Sequence, residues 1–270
     1  MNFTHIITTS FNVPSVSWKQ TRDGKNTLTD EWFTDRIDIF DKYCLPSFKN
    51  QTSKNFIWIV FFDVNTPDFY KARIQEIQME LPNFRPYFVI DHDEKKVRLL
   101  EIIPEYTGNS EFLISTDVDN DDILHREYVE TIQHLFQPKD NLVIDLRRGL
   151  QLTKKSGNKA FITEYYSVAN PFVSLVEDIR NFKTVTHYFH HKYRDFKDTA
   201  VFDKKSLYIQ FIHQNNLMNK TFDNKRFSKI DLNEYGIKPE HHFKISFSET
   251  LIYNIKRYFS LLNKKINTLK

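Results

Sequence analysis

Four carboxylates, Asp117, Asp119, Asp121 and Asp122, fall within six residues at the end of a short apolar run, Phe112 to Ile114. Two carboxylates about 4 Å apart repel by roughly 1–4 kcal/mol at realistic dielectric, so such a cluster frays, takes up protons, stays hydrated or holds a cation. A divalent cation removes the conflict. The plainer reading is a solvated acidic loop in which one Asp serves as a helix N-cap. The flanking pattern favours a site. Residues 112–116 read as a buried strand and 123–136 as an amphipathic helix, so the acids lie where a strand ends and a helix begins. Ligands bind at that carboxyl edge in open α/β sheets, and Asp121 or Asp122 is positioned to cap the helix. An EF-hand is excluded: its sixth position would be Asp122 where glycine is needed, and its twelfth would be Tyr128 where a bidentate Glu is needed.

The composition gives such a cation work to do. The chain has 270 residues, 40% of them hydrophobic, enough for one large α/β domain with a smaller terminal elaboration. It has five glycines, Gly24, Gly108, Gly149, Gly157 and Gly236, and therefore neither a GxGxxG nor a Walker loop. Any phosphate ligand must be held by metal and side chains rather than by a glycine-rich backbone. The net charge of +3 argues against a nucleic-acid groove. The single Cys44 excludes an intramolecular disulfide and fits a reducing compartment. No apolar run approaches the roughly 20 residues that span a bilayer, and the N-terminus lacks a secretory pattern, so the expected location is cytoplasmic.

The elements that must position the acids follow from periodicity. Residues 5–12 read as a first strand entering a polar connection that runs to Thr29. Asp30 then caps a helix in which Trp32, Phe33, Arg36, Ile37, Phe40 and Tyr43 recur at helical spacing. The run 56–62 is continuously apolar and β-branched or aromatic, as a central parallel strand is, and it ends at Asp63. A helix over 68–81, a strand over 84–90 and a helix over 95–103 lead to the strand that feeds the cluster. This alternation predicts an α/β fold with a mostly parallel central sheet and helices on both faces. Strands are expected at 141–146, 159–163, 184–191 and 207–213, with a hairpin around 154–157, and an amphipathic helix runs from Ser246.

At this point the residues carry a family likeness. Ser47, Gln51, Asp63 and then Asp119-Asn120-Asp121-Asp122 resemble, in order and spacing, the pattern of family-2 GT-A glycosyltransferases, in which a Ser, a Gln and a strand-ending Asp precede a D-x-D-D. More narrowly, Asn120, the segment 170–177 (Asn-Pro-Phe-Val-Ser-Leu-Val-Glu) and the segment 210–215 (Gln-Phe-Ile-His-Gln-Asn) look like the rhamnosyltransferase family of bacterial surface-polysaccharide clusters. The likeness covers roughly residues 1–220. It implies a nucleotide-sugar-binding half, 1–140, an acceptor-binding half, 141–220, and a C-terminal extension, 221–270.

The resemblance also implies roles. The D-x-D acids would hold Mg2+ or Mn2+ on the diphosphate of a nucleotide-sugar donor and ease departure of the leaving group. Asp119 would face the ribose or metal, Asp121 would be the principal ligand, Asp122 would cap the helix or orient the site, and Asp117 has no counterpart. His213 would be the third metal ligand, against the plain alternative of a satisfied strand-end histidine. Thr8, Asn12 and Asp63 would contact the nucleoside, with Arg36 at the base or phosphate. An inverting transfer needs a base for the acceptor hydroxyl, and Glu177, ahead of Asp178, stands where related enzymes supply it; the alternative is a surface acid.

Outside the family pattern, His187, Tyr188, His190, His191 and Tyr193 form the densest aromatic and histidine group, suited to stacking on an acceptor sugar or to a buried strand. The final helix aligns Phe247, Leu251, Ile252, Ile255, Phe259, Leu262 and Ile266, with Lys256, Arg257, Lys264, Lys265 and Lys270 nearby. Such a helix packs on its own domain or on a second subunit, or lies on an anionic membrane at the inner face of the plasma membrane, which would suit a lipid-linked acceptor. The expected function is metal-dependent transfer of a sugar from a nucleotide-diphosphate donor to a glycan or lipid-linked acceptor in bacterial surface-polysaccharide synthesis. The competing readings are a metal-dependent phosphoester hydrolase and a non-catalytic carbohydrate-binding or assembly protein.

Overall fold

The structure is a computed structural model, and it describes residues 2–15, 28–213 and 221–268. Most of the polar connection ahead of Thr29, with Gly24, and also Gln214, Asn215 and Lys270 lie outside the described residues. In chain order the elements are β1 (Phe3–Ser10), α1 (Asp30–Ile39) running through a π turn (Phe40–Cys44) into α2 (Leu45–Lys49), β2 (Ile57–Asp63), α3 (Asp68–Glu80), β3 (Phe84–Val89), α4 (His92–Ile102), α5 (Pro104–Thr107), β4 (Phe112–Asp117), β5 (Ile123–Leu124) and α6 (Tyr128–His134). Then follow β6 (Leu142–Leu146), β7 (Arg148–Lys154), β8 (Lys159–Tyr166), β9 (Ser174–Asp178), β10 (Thr199–Phe202), β11 (Tyr208–Ile212), β12 (Arg226–Phe227), β13 (Lys244–Ile245) and α7 (Phe247–Thr268).

Among the described residues these strands build two sheets. The larger has the order β10-β6-β9-β4-β1-β2-β3, with parallel pairing throughout β4-β1-β2-β3 and between β6 and β10, and with β9 antiparallel to both its neighbours. This is the expected α/β architecture, mostly parallel and covered on both faces. Strand β2 shows why: Trp58, Val60 and Phe62 enter a core shared with Tyr70 and Ile74 of α3, while Ile59 and Phe61 enter one shared with Leu99 and Ile102 of α4. Burial on both faces is what its unbroken apolar run requires. The second sheet has the order β12-β8-β7-β11-β5.

Two expectations are corrected. The helix over 123–136 starts only at Tyr128. Ile123 and Leu124 are fully buried and pair antiparallel with Ile209 and Tyr208 of β11, so the chain leaving the acids is a strand joined to the second sheet. Neither Asp121 nor Asp122 therefore caps a helix. The second correction is 184–191, where two 3-10 turns, Val185–His187 and His190–Asp195, replace the strand. Thr184 enters them at φ +70°, outside any strand conformation, and Tyr188 and Phe189 stay exposed. The hairpin around 154–157 is formed by β7 and β8, while β6 belongs to the larger sheet.

Gly149 in β7 shows how tightly the second sheet is built. A Cβ there would lie 2.1 Å from the ring of Tyr208, which is fully buried and stacked on Phe172 at 3.9 Å. Gly149→Ala is expected to cost about 1–3 kcal/mol through overpacking. The check is a lower urea midpoint with an unchanged slope.

Candidate active site

The chain reaches the carboxylates along β4 and is laced there to β1. Val118 N–H donates to the Thr8 carbonyl at 2.9 Å, and the Thr9 hydroxyl donates to the Val118 carbonyl at 2.8 Å. Asn120, buried, fixes the next step: its amide donates to the carbonyls of Ser10 and Phe11 at 3.0 and 2.5 Å, and its side-chain oxygen accepts from Arg36. These bonds hold the turn so that Asp119, Asp121 and Asp122 each aim a carboxylate oxygen at one point, all within 4.8 Å of one another. Asp121 and Asp122 are buried, and Asp119 opens to solvent.

Two distant residues complete the cluster. Arg36, buried on α1 with its guanidinium 5.0 Å from the Trp32 ring, pairs with Asp121 at 2.6 Å. His213 Nε2 lies 2.9 Å from the same Asp121 oxygen. The antiparallel register of β5 with β11 brings the two near, because extending it past Ile123 and Ile209 sets residue 121 opposite 211, two residues before His213. Asp122, the residue before β5, accepts from the backbone N–H of Phe211 at 3.2 Å.

The charges do not balance. Burial would raise the Asp121 carboxyl, but Arg36 and His213 outweigh it and hold it well below the carboxylate range. Asp119 and Asp122 move the other way. Burial, then the like charges of Asp121 and Asp117, push Asp119 up to about 7; burial, then Asp121 and Asp119, drive Asp122 well up. Because Asp119 still meets water, its upward direction rests on the like charges as much as on burial. A cluster that must take up protons to relieve itself, built from converging carboxylates with an imidazole beside them, has the donor chemistry of a divalent-cation site. Asp119, Asp121 and Asp122 could hold the ion, with His213 adjacent.

Other residues singled out in the sequence lie nearby in supporting positions. The Thr8 hydroxyl, buried, donates to Asp117, which gives that acid a partner the sequence did not reveal. The Asn12 amide donates to the Thr66 hydroxyl at 3.1 Å, and its side-chain oxygen accepts from the Asp63 N–H at 3.0 Å, tying the ends of β1 and β2 together. Asp63, half-buried, accepts from the backbone and side chain of Asn65. Gln51 is fully engaged: its amide donates to the carbonyls of Ser47 and His125, and its oxygen accepts from the Val129 N–H, which clamps the chain just beyond the acids.

Glu177 and Asp178 are not brought to the cluster. On β9 they pair with Leu113 and Phe112, at the start of β4, whereas the acids follow its end, roughly 13 Å along the strand. Asp178 pairs with Arg180 at the surface. Glu177 is buried, and its carboxylate accepts from the backbone N–H groups of Lys183 and Thr184 at 2.8 and 2.9 Å. Burial raises its pKa, against those bonds. It grips Thr184 at its positive φ, a conformation that costs on the order of 1–3 kcal/mol.

That grip shapes a cleft of about 240 Å3 lined by Asp117, Asp119 and Asp122 and, among others, by Phe172, Tyr188 and His190. A second buried acid holds the other part of the wall. Asp145 accepts from the Ala169 N–H and from Asn170, whose side-chain oxygen accepts from Phe172 N–H. Of the histidine and aromatic group, Tyr188, His190 and Tyr193 line the cleft. His190 Nδ1 lies 2.7 Å from the Ala169 carbonyl.

Lys95 escaped the sequence reading. It is buried on α4 and donates to the Ser10 hydroxyl at 2.6 Å, beside the loop that carries Asn120, and its charge lowers the Asp119 carboxyl. The signal was present, because Lys95 shares the core-facing stripe with Leu99 and Ile102.

The model of the family described as "Putative rhamnosyl transferase" matches residues 5–225. The chain belongs to this family, and its class is glycosyltransferase. Among solved structures it is similar to S. aureus TarS 1-349, at 16% identity and a TM-score of 0.44, over 78% of this chain and 60% of that one. The same TarS segment in complex with UDP gives 16% identity and 0.44, over 78% and 61%. A "Putative Glucose-1-Phosphate Thymidylyltransferase" from Bacillus anthracis gives 13% and 0.40, over 76% and 88%. The chain thus spans about three-fifths of the length of TarS 1-349. Among curated proteins, none matches.

The raised Asp119 carboxyl predicts a pH effect. Between its ordinary value of 3.8 and about 7 the folded state holds a proton that the unfolded state has released, and that stability is lost as the pH rises through about 7. Without divalent cations, the thermal midpoint should fall between about pH 5 and about pH 8, and Asp119→Asn should flatten the fall. An unchanged slope in the variant would assign the effect to another group.

Proposed function

We propose that this glycosyltransferase moves a sugar from a nucleotide-diphosphate donor to a glycan or lipid-linked acceptor with inversion, in the synthesis of a surface polysaccharide. The observation that carries the reading is the convergence of Asp119, Asp121 and Asp122 at the carboxyl edge of a parallel sheet, in a chain with five glycines and no phosphate-cradling loop. Rhamnose as the transferred sugar follows from the family description, and UDP in TarS supports a nucleotide donor.

A bound Mg2+ or Mn2+ would supply Lewis-acid neutralisation of the diphosphate. Asp119, Asp121 and Asp122 would hold it, with His213 as a further ligand. Arg36 keeps Asp121 ionised and so available as a ligand. Asp63 remains the nucleoside contact, while Thr8 and Asn12 act through the strand ends they hold. In the transfer the acceptor oxygen bonds to the anomeric carbon, and the bond from that carbon to the diphosphate breaks with its electron pair leaving on the phosphate. The acceptor proton needs a base within the cleft.

His190 fits that need better than Glu177 or Asp178. A backbone carbonyl only accepts, so the bond to Ala169 assigns the proton to Nδ1 and leaves the lone pair of the neutral ring on Nε2. The ring lines the same cleft as Asp117 and Asp119. Glu177 is a positioning residue that shapes the wall through Thr184.

The test uses a panel of nucleotide sugars with Mn2+, measuring donor binding by calorimetry and nucleoside diphosphate release with water as acceptor. Asp121→Asn should abolish metal-dependent binding and turnover together. His190→Gln should retain binding and lose about 100-fold or more in turnover. Absence of donor binding in the unmodified protein would refute the transferase reading; wild-type turnover in His190→Gln would refute the base alone. Glu177→Gln should bind the donor more weakly than the unmodified protein and lose about 1–3 kcal/mol of stability on urea titration, since a buried acceptor of two backbone N–H groups is weakened.

A further inference from the structure

Helix α7 is docked the wrong way round for a core helix. Its contacts with the body are polar. Asn254 both accepts from and donates to the backbone of Arg226 at 2.9 Å, and Arg257 donates to the Asp223 carbonyl at 3.0 Å. The Tyr253 hydroxyl donates to the Asp223 carboxylate, and Glu249 pairs with Lys155 at 2.9 Å. The Arg226 guanidinium is sandwiched between Phe161 and Tyr253 at 3.8 and 3.7 Å.

The apolar side faces away. Leu251, Ile252, Ile255, Phe259, Leu262 and Ile266 are each 37–58% exposed. At 3.6 residues per turn they share an arc of about 100°, roughly opposite Thr250, Asn254 and Arg257 on the docked side. An amphipathic helix normally buries this stripe in its own domain, so the stripe is built for something outside it.

Charge selects the occupant. The helix carries four basic residues, Lys256, Arg257, Lys264 and Lys265, and one acid, Glu249, which is already paired with Lys155. A second copy packed on this face would bring like charges together, whereas an anionic surface relieves them. The 22 residues span about 33 Å, and among the described residues no helix is long and apolar enough to cross a membrane. We infer that α7 lies flat on an anionic lipid bilayer, with its apolar arc in the headgroup boundary and Lys256 and Lys265, which flank that arc at about 90° to either side, at the phosphates. The inference stands on the helix alone and is independent of the transferase reading.

The test is sedimentation of the full chain with vesicles of phosphatidylcholine plus phosphatidylglycerol, and with phosphatidylcholine alone. The expected result is binding to the anionic vesicles that is about tenfold tighter than to the neutral ones and weakens with salt. The double variant Ile255→Glu/Phe259→Glu should lose about tenfold or more of that binding while keeping its circular dichroism, melting midpoint and donor binding. Both substituted positions are exposed, so folding is not at stake. Failure to sediment, or equal binding to both vesicles, overturns the inference. So does a lipid-free dimer, measured by light scattering, that the double variant abolishes, because that result gives the face to a second copy.

Discussion

The site depends on one electrostatic constraint: three carboxylates gather within 4.8 Å of one another, two of them buried, and the guanidinium of Arg36 pairs with Asp121. In water such a group would separate. Here Asn120 holds the turn to β1, and β5 draws its far end onto β11, so the acids cannot move apart. The conflict is relieved by protons at Asp119 and Asp122, and a cation would relieve it in their place. Arg36 limits the problem without solving it, since it keeps one carboxylate charged and leaves the other two in contention.

The acids of this chain divide into two kinds by what they touch. Asp119, Asp121 and Asp122 converge on a common point, and each influences the ionisation of another. Glu177 and Asp145 are as deeply buried as Asp121 and Asp122 but point at backbone N–H groups, Lys183 and Thr184 for one and Ala169 for the other. An acid satisfied by two amide donors is spent on holding a loop. The two loops so held, at 169–173 and 184–193, line the cleft together with Asp117, Asp119 and Asp122. Strain at Ala169 and Thr184, both at positive φ, persists because these carboxylates over-determine it.

Much of this was legible in the sequence, for physical reasons that can be named. The unbroken apolar run of β2 could only be a strand covered on both faces, and the acids could only follow a strand because Phe112 to Ile114 precede them. The order Ser47, Gln51, Asp63, Asp119 pointed to the GT-A pattern, and Asn120 with the segments 170–177 and 210–215 pointed to the family whose model matches residues 5–225. What was not legible was tertiary. Ile123 and Leu124 carry a pattern that serves a helix or a strand equally, and only pairing with β11 decides it. Glu177 follows an apolar run as a catalytic acid would, but the antiparallel insertion of β9 turns it toward the wrong edge of the sheet. Lys95 drew no notice as a charged residue in a helix, although it shares the stripe of Leu99 and Ile102 and is buried with them.

The pairing of β5 with β11 has a consequence for how the two sheets cooperate. Asp121 belongs to the loop leaving the large sheet, and His213 follows a strand of the second sheet, yet they meet at 2.9 Å. The ladder between them is two residue pairs long, Ile123 with Ile209 and Leu124 with Tyr208, and Asp122 adds a third link through the Phe211 N–H. Tyr208 carries the same connection further, because its ring stacks on Phe172 in the cleft wall and presses on Gly149. A shift of β11 would therefore move His213 and the wall together. Geometry at the carboxylates and shape at the cleft are set by one strand, so neither can be adjusted without the other.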